Sequence, residues 1–111
     1  MSAVEEIEVT ESSGNVFADL GLPDADELYA KATLSLIIAR MIRDRGLTQA
    51  EAAKLLGTTQ PKISELVRGR LAGFSMERLF RYLNALGMSV RIQVSEAESK
   101  EEPAQTLVEV R

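Results

Sequence analysis

The chain contains no cysteine and no histidine. That absence excludes disulfides, structural zinc sites, thiolate nucleophiles and every mechanism that moves protons through imidazole. Serine, aspartate, glutamate and lysine are present, but no spacing among them makes a nucleophile–base pair or a metal-ligand set. The expectation is therefore a protein that is not an enzyme, with no cofactor and no metal. Long apolar runs are also missing. The longest, residues 34–39, is interrupted by Ser35 and falls far short of the roughly 20 residues that a membrane helix needs. Residues 1–11 carry acids where a secretory signal would carry bases. A soluble, cytoplasmic protein with no membrane association is expected.

What is present is one small domain's worth of chain. The 111 residues are 45 % hydrophobic and 27 % charged, an ordinary globular balance with enough apolar surface for a single core. The net charge of −4 would by itself discourage a nucleic-acid partner, but it is unevenly spread. Residues 1–30 hold eight acids and no base, residues 31–93 carry +7, and residues 94–111 carry −3. A basic centre suits phosphate, an acidic arm suits a basic protein partner, and solvated charged faces are the plain alternative. The composition divides the chain into an acidic N-terminal arm over 1–23, a domain over 24–95, and an acidic, flexible tail over 96–111.

Residues 4–10 alternate weakly, as a short strand or a free arm would. Asp24, after Pro23, is placed to cap a first helix with Glu27 completing the box, and the helix should end at Gly46. Leu34, Ile37, Ile38, Met41 and Ile42 mark its buried face. Thr48 and Glu51 form an S/T-x-x-E box opening a short second helix that Gly57 ends. Thr58 or Thr59 then caps a third, with Pro61 in its first turn, Ile63 and Leu66 inward, and Gly69 as terminator. Phe74, Ser75 and Leu79 fit a hydrophobic staple around an N-cap, so a fourth helix should start near Met76 and stop at Gly87. Val90, Ile92 and Val94 alternate with polar residues as a half-buried strand does. Such a strand must pair with the N-terminal stretch, with residues 107–110, or with its copy in a second subunit. The predicted fold is thus an all-α bundle of four to five helices plus a short C-terminal β-strand used in pairing or dimerisation.

Two short helices joined at Gly57, with small Ala53 where they meet and Leu56, Ile63 and Leu66 behind, have the spacing of a DNA-binding helix-turn-helix. The residues Leu47-Thr48-Gln49-Ala50-Glu51-Ala52-Ala53, Leu56-Gly57-Thr58-Thr59-Gln60 and Ile63-Ser64-Glu65-Leu66 resemble the Cro/C1-type (XRE) helix-turn-helix of lambdoid phage repressors, over roughly residues 34–87. The resemblance implies a lambda-repressor-like domain that binds palindromic double-stranded DNA as a homodimer. It implies that Thr59, Gln60, Pro61, Lys62 and Glu65 face bases, and that Thr48, Gln49, Ser64, Arg68 and Arg70 meet phosphates. The chemistry agrees: Gln pairs with adenine, Lys with guanine and Glu with the cytosine amine. Pro61 departs from the polar residue such repressors can carry, and implies apolar contact with a thymine methyl. Gln49 and Gln60 also fit as solvated first-turn residues.

The flanks, Gly14-Asn15-Val16-Phe17-Ala18-Asp19-Leu20-Gly21-Leu22-Pro23 and Gly69-Arg70-Leu71 through Leu86-Gly87, resemble HigA-type antitoxins, extending the likeness to about residues 12–94. This implies a repressor of its own operon that holds a basic RelE/HigB-like toxin inactive, with Phe17, Asp19 and Leu20 toward the toxin. Phe17, Leu20 and Leu22 equally fit a cover for the end of the core. Val90, Ile92 and Val94, or the outer face of the fourth helix, would form the dimer contact, and such a regulator is nucleoid-associated. The alternatives are a stand-alone XRE-family regulator, or an interaction adaptor that keeps the helix-turn-helix as scaffold.

Overall fold

In a computed structural model of the chain, residues 21, 24–97, 99–101 and 104–111 are described. The strand or arm expected over 4–10 and the partner-facing Phe17, Asp19 and Leu20 lie outside them. The described residues contain four helices: α1 (Ala25–Asp44), α2 (Gln49–Leu56), α3 (Gln60–Val67) and α4 (Met76–Ala85).

The local chemistry explains most boundaries. Thr48, Thr59 and Ser75 are extended N-cap residues whose hydroxyl oxygens accept N–H bonds from Glu51, Lys62 and Arg78. Asp24 is a correction. It sits at φ 57° with no side-chain bond to the α1 terminus, so no capping box with Glu27 forms, because a cap needs extended backbone to aim its oxygen back at the first turn. Each helix ends the same way, with a glycine at positive φ after its last turn. At Gly57 (φ 70°) the reversal is completed by Thr58 N–H donating to the Ala53 carbonyl at 2.9 Å, a bond that an L side chain at this φ would strain.

Burial follows the predicted faces. Ile38, Ala52, Ile63 and Leu79 are fully enclosed, and Leu34, Ile37, Ile42, Ala53, Leu56, Leu66, Phe74, Tyr82, Leu83 and Leu86 complete one core. Met41, expected inside, packs at the core's margin. Ala52 and Ala53 let α2 lie close on α3 and α4, while α1 backs α3 and α4. Two polar residues inside α1, Thr33 and Ser35, satisfy their hydroxyls on the carbonyls of Tyr29 and Lys31. The Arg45 guanidinium donates to the Leu86 carbonyl and ties the end of α1 to the end of α4, where orphan carbonyls need donors.

The expected C-terminal strand is the second correction. Among the described residues there is no strand. Val90 lies half-buried against the core, whereas Ile92 and Val94 are 71 % and 91 % exposed. An extended segment becomes a strand only when another supplies ladder partners, and residues 107–110 do not do so. Val108 and Val110 instead pack on the helical core, and Thr106 N–H donates to Asp26 Oδ2 at 3.2 Å. The composition-defined tail over 96–111 is thus fastened to the domain near its end.

Candidate nucleic-acid interface

The candidate interface is built around the N-termini of α2 and α3. At α2, Thr48 N–H donates to Glu51 Oε1 at 2.9 Å and Glu51 N–H to Thr48 Oγ1 at 3.0 Å. This closed box leaves the N–H groups of Gln49 and Ala50, which no intrahelical carbonyl can reach, as the donors available to an anion. The Glu51 carboxyl is held below the ordinary glutamate range by the hydrogen bonds from the Thr48 backbone and side chain. A lowered folded value means that its contribution is whole above the ordinary range and fades as pH falls through the folded value. Thr48→Ala, which removes the N-cap oxygen of α2, should cost about 0.5–2 kcal/mol. Glu51→Gln should remove part of the acid-side loss of stability, both read from urea titrations at neutral and acid pH. Equal acid limbs for wild type and Glu51→Gln would sink the pH assignment.

At α3 the placement is more selective than the resemblance implies. Ile63 and Leu66 face the core, so helical spacing turns Pro61, Ser64, Glu65 and Arg68 outward as one stripe, with Gln60 exposed at the leading end and Thr59 exposed ahead of it. Thr59 spends its hydroxyl oxygen on the Lys62 N–H, 3.4 Å away. Lys62, expected at a base, lies on the flank. Its Nζ is 3.4 Å from the Gly73 carbonyl, 5.1 Å from the centre of the Phe74 ring and 3.9 Å from Glu65 Oε2. The ammonium thus joins α3 to the loop before α4 and offsets the acid on the outward stripe.

Gly73 makes that arrangement possible. A Cβ there would meet Lys62 Nζ at 2.7 Å. Sequence reasoning missed this seat because Gly73 looks like any turn glycine, and only packing brings it against a side chain eleven residues away. Arg68 and Arg70, which the resemblance implies meet phosphates, follow α3 and are both exposed. Val90 is partly covered by the core while Ile92 and Val94 stand free of it, so the three residues expected at a dimer contact are not equivalent. Among the described residues no cluster of acids could hold a metal ion, and no helix is long and apolar enough to cross a membrane.

Comparison with known proteins agrees with this geometry. A family model for a helix-turn-helix domain matches residues 16–95. A solved structure described as an XRE family transcriptional regulator superposes with a TM-score of 0.75 at 38% sequence identity, covering 80% of this chain and 100% of the other. No curated protein matches the chain. With α2 and α3 in helix-turn-helix arrangement, an outward stripe on α3 and a matching family over most of its length, the chain belongs to the helix-turn-helix family of DNA-binding, XRE-type transcriptional regulators.

Proposed function

We propose that the protein is a dimeric, sequence-specific repressor that acts on its own operon as the antitoxin of a toxin–antitoxin pair. The observation that carries the repressor reading is the outward face of α3, where exposed Gln60 and Pro61 lead a stripe that half-buried Ser64 and Glu65 and exposed Arg68 continue, on a helix set against α2. A helix held in this way can enter a major groove with its first residues at base edges. Gln60 reads adenine, Ser64 lies closer to the bases than Lys62, and Thr48, Gln49, Arg68 and Arg70 follow the backbone. One subunit reads only a few base pairs, so useful affinity needs two subunits on half-sites about one helical turn apart. Exposed Ile92 and Val94 supply apolar surface for that pairing. The antitoxin part rests on the composition of residues 1–30, eight acids and no base, which suits a basic toxin, and on the likeness of the flanks to HigA-type antitoxins.

Fluorescence anisotropy against the chain's own upstream DNA and a shuffled control, over a salt series, tests the repressor. Tight binding to the native fragment alone is expected, steeply weakened by salt. Gln60→Ala should lose about 1–3 kcal/mol on the native fragment and little on the shuffled one. Equal losses on both would make Gln60 a backbone contact. A monomer by light scattering, both free and on the operator, would refute the dimer. Failure to capture a small basic protein encoded beside this chain would refute the antitoxin.

A further inference from the structure

We infer that the hollow between the helix-turn-helix turn and α4 is a binding site for a single phosphate-type oxyanion. Leu56, Gly57 and Thr58 form one wall, and Arg78, Arg81 and Tyr82 of α4 the other, around about 140 Å³. Pockets for whole small molecules usually run to about 300–1,000 Å³, so this one suits one ionic group rather than an entire metabolite. No acid lines it. Arg78 and Arg81, one helical turn apart and both exposed, have no acidic partner among the described residues.

Two neutral donors complete the set. Thr59 rather than Thr58 caps α3, so the Thr58 hydroxyl is left without a partner among the described residues while its N–H serves the end of α2. Tyr82 is 3% exposed, and its hydroxyl is the one buried side-chain polar atom among the described residues that finds no hydrogen bond. Buried polar groups are ordinarily satisfied. An oxyanion beside Tyr82 supplies the missing acceptor, directly or through one water. Two arginines and a tyrosine on one wall and a threonine on the other form a donor set that suits a tetrahedral group, which accepts from several directions, better than a flat carboxylate that one guanidinium grips from one side.

A phosphate here comes either from a small molecule in solution or from the DNA backbone, since Thr58 lies two residues before Gln60. The first arm of the test contains no DNA, so its outcome does not depend on the repressor reading. The full chain, labelled with ¹⁵N, is titrated with sodium phosphate against sodium chloride at matched ionic strength. Saturable shifts at the amides of Gly57, Thr58, Arg78, Arg81 and Tyr82 are expected. Arg78→Gln with Arg81→Gln should weaken them at least tenfold, Tyr82→Phe should weaken them with the fold intact, and Arg43→Gln should leave them unchanged. In the second arm, the double variant is compared with wild type on random-sequence DNA. A log–log salt slope shallower by about 0.9 per lost contact identifies the backbone as the source, whereas an unchanged slope beside saturable phosphate binding identifies a free anion. Linear, unsaturating shifts that are the same in the double variant, together with an unchanged slope, overturn the site.

Discussion

Replacing Phe74 with alanine is expected to cost about 3–5 kcal/mol, the range for an aromatic removed from a packed core. Small domains hold only roughly 5–15 kcal/mol in all, so a urea titration should show the variant near the edge of folding. Phe74 is 2% exposed and sits one residue before the α4 N-cap, where it plugs the core from the loop side. Its ring meets Tyr82 edge-on at 6.3 Å and 73°, and the Lys62 ammonium lies over it at 5.1 Å. Aromatic pairs and cation–π contacts each add about 0.5–1.5 kcal/mol to plain burial. Phe74→Leu, which keeps apolar volume and loses the ring, should therefore lose less than alanine but more than nothing. A cost for Phe74→Ala within the roughly 0.5 kcal/mol of a surface change would show that the loop does not close the core.

Arg68→Glu together with Arg70→Glu is expected to abolish most DNA affinity while leaving the fold alone. Both side chains are exposed and neither forms an ion pair among the described residues, so the melting temperature should barely move. Each phosphate contact releases condensed counterions, so losing two should flatten the log–log salt slope by about 1.8 and weaken binding more than about tenfold on native and shuffled DNA alike. This uniform loss contrasts with Gln60→Ala, which should discriminate between the two fragments. Unchanged affinity and slope would leave the helix-turn-helix as a scaffold for protein contacts.

Much of the fold was legible in the chain because it is written in short-range chemistry. Thr48 with Glu51, Ser75 between Phe74 and Leu79, and a glycine after each helix are local devices whose partners lie within a few residues, so the sequence alone determined two of four caps, narrowed a third to Thr58 or Thr59, and determined every helix end and the helix-turn-helix spacing. Ile63 and Leu66 likewise announce the inner face of α3 through helical periodicity. Asp24 failed because a capping residue works only in extended backbone, and nothing in its side chain dictates that. The residues over 90–94 failed as a strand because alternation records which side is apolar, not whether a ladder partner arrives. Only the tertiary structure decided that Val108 and Val110 lie on the core, that Gly73 seats Lys62 and draws it from the outward stripe, and that Arg78, Arg81 and Tyr82, whose hydroxyl has no partner among the described residues, line one hollow with the turn at Gly57. Each of these joins groups far apart in sequence, and their meeting depends on how four helices pack rather than on what any one segment prefers.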